Sequence, residues 1–194
     1  MRKIGIYGGT FDPVHHAHLI LAREGLEQLG LDEMIFVPAA SSPHKIGSQS
    51  TPAALRLEML RAAIAGEPQF SVDDRELQRP PPSYTVETIE SMKAANPQLE
   101  IYYFLGSDNL PRLETWHRFA DLEKLVRFVV LDRGPATPKG RWEIIRRQIE
   151  VSSTEIRNRV ATGRSIRYLV PTAVEEIIRR AQLYREPTKS QQKS

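Results

Sequence analysis

Residues 3–37 read KIGIYGGTFDPVHHAHLILAREGLEQLGLDEMIFV, and this stretch decides the fold class. Ile4 and Ile6 alternate along a short strand, Lys3 to Tyr7, that stops at the glycine pair Gly8 and Gly9. From His16 to Leu29 the apolar residues Leu19, Ala22, Leu26 and Leu29 recur at helical spacing, and Gly30 supplies a C-terminal stop. Glu33 to Val37 then holds the unbroken apolar run MIFV, which suits a strand covered on both faces of a parallel sheet. Strand, amphipathic helix and strand make one βαβ unit.

Outward from that unit the alternation continues. After a Ser- and Pro-rich loop at 38–50, Thr51 is placed to cap a helix with Pro52 at its first position and Gly66 at its end. A strand at Gln69 to Val72 follows, then a proline run and a helix from Thr85 to Ala95. LEIYYFLG at 99–106 and RFVVLD at 127–132 read as buried strands, separated by shorter helical turns around Leu110 to Leu125. WEII at 142–145 is too short for its period to separate strand from helix, and strand is preferred. SSTE at 152–155 is a capping box that starts a helix running to about Thr162, and Thr172 with Glu175 offers a second such start. The expected fold is α/β: a doubly wound, Rossmann-like parallel sheet with a small C-terminal helical part. One domain is expected over 1–184, followed by a polar, flexible tail at 185–194.

Composition narrows the chemistry. The 194 residues are 40% hydrophobic and 26% charged, as in an ordinary packed domain, and contain no cysteine. A disulfide framework, a thiol nucleophile and a Cys-ligated zinc site are thereby excluded. No apolar run approaches the roughly 18 residues that span a bilayer, and Gly8, Gly9 and Asp12 arrive too early for a signal peptide, so the cytoplasm is expected. A formal charge of +3 invites an anionic partner without choosing one.

Three segments carry chemistry. GGTFDPVHHAHL, 8–19, lies between the first strand and the first helix, where open parallel sheets bind ligands and a helix N-terminus offers free N–H groups to phosphate. His15 and His18, three apart, can lean towards one anion; the plainer reading is a tight turn whose histidines cap and pack. A protein-held metal is not expected, because the two histidines lack an evident third ligand. SPHK, 42–45, offers Lys45 as a point charge, although by itself Lys45 reads as a surface lysine. VSSTEIRNR, 151–159, places Ser152, Ser153 and Thr154 at a helix start with Arg157 one turn in, either to meet a polyphosphate or as an ordinary capped helix with a solvated arginine.

Together these segments resemble the bacterial nicotinate-nucleotide adenylyltransferases of the HxGH nucleotidyltransferase superfamily, over nearly the whole chain. PSYTVETI at 82–89 and FLGSDNLPRLETWHRF at 104–119 are similar to the family's mononucleotide-binding and adenosine-binding stretches. The resemblance implies transfer of the adenylyl group of ATP to nicotinate mononucleotide, with magnesium arriving as the ATP complex. It assigns His15, His18, Lys45 and Arg157 to catalysis. It assigns Gly8, Gly9, Thr10, Phe11, Gly106, Asp108, Arg133, Ser152, Ser153 and Thr154 to ATP as well, and Thr10, Lys45, Tyr84, Thr85 and Trp116 to the mononucleotide. Neither nucleic acid nor a membrane is implied as a partner, and homo-oligomerisation stays open.

Two departures stand out: Ala17 where the HxGH string has glycine, and a short connection at 134–140. A helical backbone at Ala17 is harmless, whereas a positive φ there is costly. Rival readings are a preference for nicotinamide mononucleotide, a phosphopantetheine adenylyltransferase, a cytidylyltransferase, a catalytically weak nucleotide sensor, and an RNA-binding protein with a basic second half. The SYT and LETWHRF segments argue against the phosphopantetheine and cytidylyl readings.

Overall fold

The computed structural model describes residues 1–40, 51–80, 82–132 and 141–185. Six strands form one sheet: β1 (Lys3–Gly9), β2 (Glu33–Pro38), β3 (Phe70–Val72), β4 (Glu100–Gly106), β5 (Arg127–Asp132) and β6 (Glu143–Arg146). All pairings are parallel and the order is β3-β2-β1-β4-β5-β6. The chain therefore winds outward in one direction from β1 and then in the other from β4. The switch point between β1 and β4 is where a doubly wound sheet opens a crevice at its carboxyl ends.

The period-two alternation of the strands sorts their side chains into two cores. Tyr7, Met34, Phe36, Phe104, Val129 and Leu131 face one side. There they meet residues of α1 (His16–Leu29), α2 (Ala53–Ala63), α6 (Ser153–Ala161) and α7 (Thr172–Arg180). Ile4, Ile6, Val37, Ile101, Tyr103, Leu105 and Phe128 face the other, against α4 (Thr85–Ala95), a 3-10 helix at Ser107–Thr115 and α5 (Phe119–Leu125). Strands covered on both faces explain why MIFV and IYYFL read as unbroken apolar runs. The C-terminal helices belong to the first of these layers rather than standing apart.

Several local expectations need correction. Thr51 does not cap α2; its backbone N–H donates to Asp12 Oδ2 at 3.2 Å. Pro52 occupies the position before the helix, which ends at Ile64 rather than Gly66. Thr172 is the first residue of α7, after Pro171, and makes no capping bond. Ser152 does cap α6, its Oγ accepting from the Glu155 N–H at 3.1 Å. A four-residue helix, α3 (Arg75–Gln78), had no visible period. The short connection at 134–140 and the segment from 186 onward lie outside the described residues.

Candidate active site

A cleft of about 640 Å³ opens at the switch point. Its floor is the end of β1 with the loop after it, Gly8, Gly9, Thr10 and Phe11, and its walls carry His18, Tyr84, Thr85, Gly106, Asp108 and Trp116. Ten of the residues singled out from sequence thus share one cavity. Gly8 allows the close approach of the floor, because a Cβ there would strike the Tyr103 hydroxyl. Among the described residues, neither a lysine nor an arginine lines this cleft. Groups there that can donate to an anion include backbone N–H groups and the rings of His18 and His117, while Glu76 and Asp108 contribute carboxylates.

The loop from Thr10 to His15 is held in an unusual path. Phe11 has φ 49 and is 2% exposed, its ring packed edge-on against Tyr7 and His18 at centroid distances of 5.5 and 5.2 Å. A positive φ at an aromatic residue is strained and persists only where its surroundings hold it. His15 sits at the N-cap of α1, 1% exposed, with its ring stacked on that of His18 at 3.7 Å. The two histidines therefore do not both reach into the cleft: His18 lines it and His15 lies beneath. Ala17 is buried in the first turn of α1 and is not among the positive-φ residues, so its methyl group costs no backbone strain.

The start of α6 docks against this loop from the side. Ser153 Oγ donates to the Pro13 carbonyl at 2.9 Å, and Arg157 Nη1 donates to the Asp12 carbonyl at 2.7 Å. Arg157 Nη2 reaches Thr154 Oγ1 at 3.2 Å. The hydroxyls of Ser152 and Ser153 are thus engaged in the fold, and neither residue lines the cleft, nor do Thr154 and Arg157. Lys45 and Arg133 lie outside the described residues.

The sequence did not announce several residues around the cleft. Tyr103 lines it and meets Trp116 edge-on at 5.9 Å, with burial pushing its phenol pKa well up. Glu76 lines it too, only 9% exposed, accepting from Thr88 Oγ1 at 3.0 Å. Burial pushes the Glu76 carboxyl up, more than the Thr88 bond and the nearby arginines pull it down. His117 stacks on Tyr84 at 4.1 Å across the rim.

Behind the floor lies Arg56, 1% exposed. Its guanidinium donates to the carbonyls of Thr10 (2.8 Å), Ala39 (2.9 Å), Ala40 (3.2 Å) and Thr51 (3.0 Å). Burial lowers its pKa while the charge of Asp12 opposes that. One signal was readable: Arg56 occupies a core-facing position with Met59 and Leu60 at i+3 and i+4. Among the described residues no three His, Asp or Glu side chains gather to hold a metal, and no helix is long and apolar enough to cross a membrane.

Comparison with known proteins agrees with this geometry. Residues 6–159 match the cytidylyltransferase-like family. A probable nicotinate-nucleotide adenylyltransferase of Geobacillus thermodenitrificans is 44% identical over 95% of this chain and 87% of the relative. One from Synechococcus is 40% identical over 96% of each. In fold, the chain is similar to Plasmodium falciparum nicotinic acid mononucleotide adenylyltransferase complexed with NaAD, with TM-score 0.79, 20% identity, and coverage of 95% of this chain and 98% of that one. A match across the glycine–histidine loop, the sheet and the start of α6, joined to such identity along nearly the full length, places the chain in the cytidylyltransferase-like family and, within it, among the nicotinate-nucleotide adenylyltransferases.

Proposed function

We propose that this protein transfers the adenylyl group of ATP to nicotinate mononucleotide, giving nicotinate adenine dinucleotide and pyrophosphate. The observation that carries the reading is the single cleft in which the Gly8–Phe11 floor and His18 face Tyr84, Thr85 and Trp116. A phosphate-binding loop and an aromatic acceptor wall share one space, as joining two nucleotides requires. Relatives that bear this activity in their names are 38–44% identical.

The phosphate of the mononucleotide attacks the α-phosphorus of ATP in line; a phosphorus–oxygen bond forms and the α–β bridge breaks, releasing pyrophosphate. The nucleophile has a second pKa of about 6 and is largely dianionic at neutral pH, so no general base is needed. Catalysis is positioning plus charge neutralisation. His18 donates from its cleft-facing nitrogen to the developing charge, and the stacked His15 fixes its ring. Arg157 and Lys45 neutralise the triphosphate, the N–H groups at the start of α6 add hydrogen bonds, and Arg133 contributes a further contact. Gly106 and Asp108 meet the adenosine, Asp108 accepting from ribose hydroxyls. Tyr84, Thr85 and Trp116 hold the mononucleotide, the indole stacking on the pyridine ring. ATP enters as its magnesium complex, the metal held by phosphate oxygens and water.

Calorimetric titration tests the acceptor assignment. Nicotinate mononucleotide is expected to bind more tightly than nicotinamide mononucleotide or phosphopantetheine, and Trp116→Ala to weaken it about three- to tenfold. Equal binding of all three, or a Trp116→Ala variant that binds as wild type does, contradicts the assignment.

A further inference from the structure

Asp12 lies in the strained loop directly after Phe11, only 7% exposed, and each of its polar parts is held by a different part of the chain. Its Oδ2 accepts from the Thr51 N–H at 3.2 Å and its carbonyl from Arg157 Nη1 at 2.7 Å. Its Oδ1 accepts from the Tyr184 hydroxyl at 2.7 Å, across 172 positions of sequence. Tyr184 follows α7 in a turn where both Gln182 and Tyr184 have positive φ, 52 and 61. Such a turn is strained for both residues and is sustained by what it holds. Burial of the phenol and its bond to Asp12 push its pKa far above the ordinary range, so it stays a donor at any working pH.

We propose that Tyr184 is a positioning residue for the triphosphate: its bond to Asp12 fixes the carbonyl that aims Arg157. The inference rests on the adenylyl-transfer reading for the identity of the anion. The connection is short and directional. Tyr184 holds the Asp12 side chain, the Asp12 carbonyl holds one arm of Arg157, and Thr154 Oγ1 holds the other at 3.2 Å. A guanidinium held by one arm on a carbonyl and by the other on a hydroxyl has its remaining N–H groups preset, so less ordering entropy is lost when an anion binds. The acceptor wall of Tyr84, Thr85 and Trp116 shares none of these bonds, so the two halves of the cleft should respond differently.

The test uses the full chain with Tyr184→Phe, which removes one oxygen, together with Asp12→Ala, which removes the acceptor of that hydroxyl, and the double variant. Calorimetry reads the affinity for magnesium–ATP without acceptor and for nicotinate mononucleotide without ATP, so neither readout needs turnover. Loss of a hydrogen bond to a charged partner predicts ATP binding weaker by about three- to tenfold in Tyr184→Phe, with nicotinate mononucleotide unchanged within about twofold. Because Asp12→Ala already removes the acceptor of the Tyr184 hydroxyl, adding Tyr184→Phe should weaken ATP binding no further than Asp12→Ala alone. A Tyr184→Phe protein that melts earlier yet binds ATP as wild type does would show a purely structural role and overturn the proposal. So would penalties that add in the double variant, or equal weakening of both ligands. Wild-type protein that binds ATP but releases no pyrophosphate with any acceptor would instead count against the adenylyl-transfer reading alone.

Discussion

The backbone N–H of His15 donates to Nδ1 of His18 at 3.2 Å. A ring nitrogen that accepts carries no proton, so in its neutral form the His18 ring bears its hydrogen on Nε2. The helix cap thereby sets the tautomer of His18, one of the two histidines, with His117, that line the cleft. His18→Ala is expected to lower kcat by about 100- to 1,000-fold, the usual loss when a preorganised donor to developing charge is removed, with ATP affinity largely kept. Steady-state kinetics beside calorimetry check this; a kcat within tenfold of wild type contradicts it.

Ala17 is buried, helical and free of positive φ, so restoring the glycine of the HxGH string gives no catalytic gain. Ala17→Gly should leave kcat/KM within about twofold and destabilise the fold by roughly 0.5–1 kcal/mol, the backbone cost of glycine in a helix. A large rise in kcat would mean that the methyl group obstructs ATP, and would favour the nucleotide-sensor reading of the natural chain.

Glu76 is a buried carboxyl whose pKa is raised, chiefly by desolvation. The folded state therefore holds its proton more tightly than the unfolded chain does, and ionised Glu76 costs stability. That cost is absent below the unfolded value of about 4.3 and is complete once pH has passed the raised folded value. Glu76→Gln keeps an oxygen to accept from Thr88 and removes the charge. Its melting temperature should exceed that of wild type at pH 8, and the advantage should shrink as pH falls towards 4. A constant difference across that range would show that charge is not the cause.

Gly25 lies in the middle of α1 where a Cβ would strike the ring of Phe104 on β4. Gly25→Ala should therefore destabilise by about 1–3 kcal/mol despite alanine's better helix propensity. In a chain of this length each kcal/mol lowers Tm by about 2–4 °C, which a thermal melt reads directly. Phe104→Leu in the same protein should recover part of the loss. A stabilised Gly25→Ala protein would mean that helix and strand are not in close contact.

The sheet was legible because β1 and β4 end in glycines and because strands covered on both faces must be apolar throughout. WEII was ambiguous for a physical reason: β6 is a four-residue edge strand with only Ile145 fully buried, too short to display a period. The glycine–histidine loop and the SYT and TWH segments did reach one cleft, together with the glycine ends of β1 and β4. The hub beneath it was not legible. Tyr184 and Asp12 are far apart in sequence and carry no spacing rule, and for Arg56 the spacing with Met59 and Leu60 signals burial but not the four carbonyls that it holds. Glu76 was hidden for a similar reason, on a helix of four residues.

Pyrophosphate release from purified protein with magnesium–ATP, run in parallel with nicotinate mononucleotide, nicotinamide mononucleotide and phosphopantetheine and with a His18→Ala control, decides whether the cleft joins ATP to the pyridine mononucleotide. Rapid release is expected with nicotinate mononucleotide, slower release with the amide, none with phosphopantetheine, and loss of the signal in the control. ATP binding with no release from any acceptor, or release that is undiminished in His18→Ala, would contradict that expectation.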